Sequence, residues 1–262
     1  MRPARPEDFD AVYPLLRQLN DTRITRAVWQ RLFDPLWRGS EYSPGYVLED
    51  GSAMVGFIGT LFSEREVNGE RHRFCNLTSW VVEPEYRSQS VMMLLPILRD
   101  KSATLSSLTS SEEAYAIYRK LGFKDLDTQA RVIYRLPGVR SSAYQIVRAE
   151  ACEALLDAGQ ASYFADHRQL DIEHCLVRGA GGQCYLMIEC KRGRAHIHHI
   201  SDVAWFRAHV SRFRHALLAT LGMKTLQVDE RFLAGMRILG SRAKVFDQPK
   251  QFRSRALDVM DI

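Results

Sequence analysis

The sequence has no apolar run near the ~18 residues that a membrane-crossing helix needs. Its first ten residues, MRPARPEDFD, hold acids and prolines where a secretory leader needs an apolar stretch. A membrane or exported chain is therefore not expected, and a cytoplasmic location is. Cysteine is sparse and poorly placed for cross-linking: five residues, at 75, 152, 175, 184 and 190, odd in number and without a C-x-x-C pair. That argues against a disulfide framework and a zinc knuckle. A block of like charge is missing too. The net charge of +5 is spread along the chain, which suits a small polyanionic ligand better than nucleic acid and fits a plain solvated basic surface equally well. What is present suffices for a sizeable core: 262 residues, 46% hydrophobic, enough for one large or two modest domains.

The most informative stretch is Asn76 to Met92, NLTSWVVEPEYRSQSVM. Its β-branched and aromatic residues up to Val82 spell a strand, and Pro84 ends it because proline has no N–H for the ladder. A helix is expected over Val91 to Arg99, capped by Ser88 or Ser90, with Pro96 inside it as a flaw that should kink or shorten it. Strand, polar turn and helix N-terminus would together make an anion site. Farther on, AYAIYRKLGF over Ala114 to Phe123 reads as an amphipathic helix. Ala114, Ile117, Tyr118 and Leu121 share one stripe, and Gly122 suits the left-handed position that ends it.

Together the two stretches resemble the GNAT superfamily, the GCN5-related N-acetyltransferases. Val82-Glu83-Pro84-Glu85-Tyr86 and Arg87 match the strand end and the first position of the family's phosphate loop, and residues 114–123 match its Ala-x-x-x-Tyr-x-x-Leu-Gly-Phe pattern. Ser90 and Met92 stand where the family has small, glycine-like residues, and Ser111 where many members have Asn. The resemblance implies an α/β (α+β) domain over residues 1–138, a mixed, mostly antiparallel sheet flanked by helices. It implies transfer of an acyl group from acetyl-CoA or another acyl-CoA to a small-molecule or peptide amine, by direct attack on the thioester. The cofactor would be held by Trp80, Val81 and Val82, by the loop Arg87, Ser88, Gln89, Ser90, Val91 and Met92, and by Ser111. Tyr118 would protonate the departing thiolate, with half-buried packing as the competing use of its ring. No general base stands out, because Glu64, Glu66 and His72 read as solvated strand residues. The rival reading is a non-catalytic scaffold or binding module, motivated by Ser90, Met92, Ser111 and Pro96. A longer acyl chain or a carrier-protein donor is a third.

Elsewhere the first half reads as an edge strand over Met1 to Pro6, a helix to Asn20, and a second helix from Arg26 to Phe33 ended by Pro35. Trp29, Phe33, Leu36 and Trp37 supply aromatic and apolar area used mostly for packing. Asp50-Gly51 and Asn68-Gly69 turn an antiparallel meander that runs into the loop. Strands follow over Ala103 to Thr109 and Arg131 to Leu136, with a helix begun by Ser111 between them. In residues 139–262 the order is helix near Ala149 to Ala158, strand Cys184 to Cys190, strand Ala195 to Ile200, helix, and strand Lys224 to Asp229. The long helix is capped by Ser201-Asp202, stopped by Gly222, and apolar along Val203, Phe206, Val210, Phe213, Leu217 and Leu221. This repeats the order of the first half and suggests a smaller α/β unit, a degenerate GNAT-like repeat without the phosphate loop. His196 and His198 share one face of their strand and His199 takes the other. With no cysteine or carboxylate close by in sequence, no metal site is expected.

Overall fold

A computed structural model describes residues 1–20, 24–33, 42–136 and 143–262. The chain forms two compact units, Met1–Leu126 with Gln248–Ile262, and Asp127–Asp247. The boundary expected at 138/139 lies outside the described residues, as do Pro35, Leu36 and Trp37.

The first unit opens with β1 (Arg2–Pro3), α1 (Phe9–Arg17) and α2 (Arg26–Gln30), the last capped by the Thr25 side chain. Then come β2 (Gly45–Asp50), β3 (Ala53–Val67) and β4 (Glu70–Val82), turned by the two glycine turns the sequence announces. A stretch of 3-10 turns over Pro84–Leu94 leads to α3 (Leu95–Arg99), followed by β5 (Ala103–Ser107) and α4 (Glu112–Lys120). The strand order is β1-β2-β3-β4-β5, closed by the end of the last strand of the chain, β12 (Ser241–Arg253). Pairing is antiparallel except between β4 and β5. Alternation along the strands feeds two cores. Val47 and Phe57 meet Phe9, Leu16 and Trp29 of the first two helices and Phe33 just beyond them, while Leu48 and Ile58 meet Met93, Ile97 and Tyr118 on the opposite face.

The second unit takes in most of β6 (Lys124–Tyr134), whose Ala130–Tyr134 pair antiparallel with β11 (Thr225–Asp229). Between them in sequence lie β7 (Gln145–Arg148), α5 (Ala149–Glu153), α6 (Ala158–His167), β8 (Glu173–Gly179), β9 (Gly182–Lys191), β10 (Arg194–Ile200) and α7 (Val203–Thr220). The strand order is β6-β11-β10-β9-β8-β7, with β10 and β11 parallel and the other pairs antiparallel. Asp202 caps α7, as its place before the apolar stripe requires, and Phe206, Val210, Phe213 and Leu217 are buried against the sheet. On the other face, Leu176 and Tyr185 pack with Cys152 of α5 and Phe164 of α6.

Two local expectations are corrected. The helix expected from Val91 begins only at Leu95, and neither Ser88 nor Ser90 caps it. Pro96 decides this: in the first turn its missing N–H has no intrahelical partner to lose, so the helix starts at the proline instead of being kinked by it. The strand expected from Arg131 begins at Lys124.

Candidate functional site

The site is built on a strand that loses its neighbour. β4 and β5 pair in parallel from Arg73↔Ala103 to Asn76↔Ser106, and there the ladder ends. From Leu77 to Val82 β4 stays paired with β3 but not with β5. Within this free length Ser79 has φ 53°, and the β3–β4 register shifts between Phe57 and Gly59. Ile58 therefore faces two residues of β4, a β-bulge that twists the strand and re-aims Trp80. A non-glycine residue at such a φ is uncommon and marks a place where the surrounding structure holds the backbone against its preference.

Beside this edge lies a cleft of about 540 Å³. One wall is Trp80, Val81 and Val82; a second is Arg87 and Ser90 from the 3-10 stretch; a third is Ser111, Glu113, Ala114 and Ile117 at the start of α4. Gln18 and Leu19, just past α1, complete the rim, and Gln18 Nε2 donates to Glu83 Oε1 at 2.7 Å. Trp80 Nε1 is buried and donates to no group among the described residues. The Ser111 hydroxyl accepts from Ala114 N at 3.3 Å as the cap of α4, which fixes the first turn of that helix. The Glu113 carboxyl lies below the usual carboxylate range because its own backbone N–H and then the Ser111 hydroxyl donate to it, with Arg87 adding attraction.

No protein-family model and no curated protein sequence matches the chain. Solved structures do, across both units. A conserved protein of unknown function from Enterococcus faecalis is 15% identical with a TM-score of 0.63, over 97% of this chain and 72% of that one. A GCN5-related N-acetyltransferase from Anabaena variabilis is 12% identical with a TM-score of 0.63, over 95% and 71%. Another from Kribbella flavida is 14% identical with a TM-score of 0.58, over 97% and 70%. The fold is that of the GCN5-related N-acetyltransferases. At these identities the likeness is one of fold alone.

Of the residues the sequence singled out on this GNAT fold, Trp80, Val81, Val82, Arg87, Ser90 and Ser111 line a single cleft. Ser88, Gln89, Val91 and Met92 do not line it, and Met92 is 53% exposed. The anion site expected at a helix N-terminus is absent in that form: the segment after Pro84 winds in 3-10 turns, and α3 has only five residues. Tyr118 is placed in the core at 2% exposure, stacked with Trp80 at 5.7 Å and tilted against Phe123 at 5.0 Å, one ring beneath the cleft. Its hydroxyl is hydrogen bonded to Ser107, and burial pushes its pKa well above that of an ordinary phenol.

Sequence reasoning missed Glu113 and the Gln18-Leu19 rim. Glu113 was detectable as an acid two residues into the helix that Ser111 caps. The rim was not, since nothing local shows which helix end a cleft will meet. A second cavity, about 470 Å³, opens on the same unit over Tyr46, Phe62, Cys75 and Ile97, with Arg73 and Asp100 3.7 Å apart at its edge. In the second unit Glu189 stands beside His196 and His198, so a carboxylate is near that pair after all.

Proposed function

We propose that the first unit binds an acyl-CoA in the cleft beside β4 and passes its acyl group to an amine. The observation that carries this reading is the parting of β4 from β5 just before a strained bulge in the β3–β4 ladder, next to a cleft that holds Arg87. An unpaired strand edge offers main-chain N–H and C=O groups to an extended, amide-bearing ligand such as pantetheine, much as a peptide adds to a sheet. Arg87 supplies positive charge for the pyrophosphate, and Trp80 Nε1–H a donor for the bound chain. The amine nitrogen would attack the thioester carbon, a backbone N–H near Val82 would stabilise the oxyanion, and the C–S bond would break to release the thiolate.

Tyr118 is assigned to positioning. A buried phenol with a raised pKa that is already bonded to Ser107 is a poor proton donor, and its ring backs Trp80. The attacking nitrogen gives up its proton to water as the amide forms, and the thiolate takes one from water, so the protons balance through solvent. Calorimetric titration with acetyl-CoA tests the reading: saturable binding is expected, weakened about tenfold in Arg87→Ala, the loss typical of a charge-assisted contact. No heat up to ~1 mM ligand would end it. Tyr118→Phe should keep most of kcat, whereas a loss of kcat together with the basic limb of the pH profile would return the acid role to Tyr118.

A second reading, a binding module that moves no acyl group, is favoured by Tyr118, whose buried hydroxyl is already bonded to Ser107 and is a poor proton donor to the cleft. It would bind CoA and leave free thiol constant in the presence of any amine. The second unit is proposed as a degenerate repeat of the first. In support, β8-β9-β10-α7-β11 follows the order β2-β3-β4-α3-β5, and the last two strands pair in parallel in both.

A further inference from the structure

The hairpin of β9 and β10 carries a cluster that the acyltransfer reading does not use. Arg192 and Gly193 both have positive φ, 50° and 76°, the signature of a two-residue type I′ turn. Such a turn sets the register without slack: Lys191 faces Arg194, Cys190 faces Ala195 and Glu189 faces His196. Directly paired residues point to the same side of a sheet, so Glu189 and His196 are neighbours by construction. The register then shifts between Ile197 and His199, and His198 ends with its ring 4.4 Å from that of His196. One ligand atom from each of Glu189, His196 and His198 lies within 4.8 Å of the other two.

We propose that Glu189, His196 and His198 form a binding site for a borderline divalent cation of the zinc class. Two imidazoles and one carboxylate are a donor set that Zn²⁺ accepts at about 2.1 Å, and three protein ligands leave a coordination position for water. The carboxylate is only loosely engaged by the protein, with Oε2 3.6 Å from His198 Nε2 and Oε1 3.9 Å from Lys191 Nζ, so it turns toward a cation at small cost. Asp229, buried on β11, has Oδ1 3.8 Å from His196 Nε2, while its Oδ2 accepts from Arg231 Nη1 at 3.4 Å, so the carboxylate orients that ring with its charge partly offset. A hard cation such as Mg²⁺ prefers an all-oxygen shell and is excluded by the imidazoles. The bound ion would clip β9 to β10 and hold two rings on one side.

The test uses the full chain without a histidine tag, titrated with Zn²⁺ against a chromophoric chelator and, separately, with Co²⁺ as a visible reporter. One Zn²⁺ per chain is expected, with ligand-field bands for Co²⁺ and no response to Mg²⁺. Glu189→Gln should weaken uptake at least ~10-fold, and H196Q/H198Q should abolish it together with the Co²⁺ bands. Circular dichroism of the metal-free variants checks folding. If the His196 change disturbs it, His198→Gln alone decides, because that side chain is more exposed than His196, 39% against 18%. No saturable uptake, uptake unaltered in H198Q, or a thiolate charge-transfer band showing that cysteines hold the ion would each overturn the site.

Discussion

Glu113 and Tyr118 sit on one short helix and meet opposite surroundings, because residues five apart on a 3.6-residue turn look in different directions. Glu113 faces the cleft and stays ionised; Tyr118 faces the core. For a polyanionic ligand the carboxylate is a repulsive neighbour. Glu113→Gln should therefore tighten acetyl-CoA binding about two- to fivefold at low salt, the range of an exposed charge contact, and calorimetry would show it. Unchanged affinity would mean the phosphates do not pass Glu113. Two buried histidines of the second unit give a pH signature. His174, whose Nδ1 lies 2.6 Å from the Tyr185 hydroxyl, and His215 both have pKa values lowered chiefly by burial, with Arg214 also acting on His215. In the unfolded chain each takes a proton near pH 6.5, while in the folded chain each resists it to lower pH. Below about 6.5 the unfolded state thus binds more protons, and stability present above that pH is lost as pH falls toward the folded values. Tm should fall between about pH 7 and pH 5.5, and His215→Gln should show a shallower fall. A flat Tm over that window would refute the linkage.

At the scale of elements, the bulge of β4 and the irregular segment after it shape the cleft. Ser79 pays a backbone penalty that glycine would not, and its Oγ lies 3.1 Å from that of Thr78. Ser79→Gly should stabilise the first unit by up to ~1 kcal/mol, and Ser79→Val should destabilise it by a similar amount or more while lowering ligand affinity. Urea denaturation measures both, and equal stability of the two variants would remove the case for strain. The sequence announced strand, proline and loop here, because β-branched patterning and Pro84 act locally. It did not announce the bulge, since one extra residue in a ladder depends on the partner strand. The 3-10 winding was equally hidden, although Pro96 could have been read as a helix start.

For the molecule as a whole, each unit depends on distant chain. The first unit is completed by residues after 247: Gln251, Phe252 and Arg253 pair with Ser107, Ser106 and Leu105, and Phe252 is buried. Ser254 Oγ lies 2.7 Å from Thr104 Oγ1. Deleting residues 248–262 should cost the first unit at least ~3 kcal/mol through one buried aromatic and several ladder bonds. A lower Tm with increased binding of a hydrophobic dye would report it, and an unchanged Tm would show that these contacts contribute little. The sequence by itself determined the strands and helices of alternating or 3.6-residue period, the glycine turns and the Asp202 cap, for these are set by neighbours a few positions away. Only the tertiary structure decided that β12 returns to β5, that the Tyr118 hydroxyl is buried against Ser107, and that Gln18 and Leu19 meet the cleft. Each of these rests on pairing or burial between segments whose meeting no local pattern encodes, because the apolar area that drives it is shared across the fold.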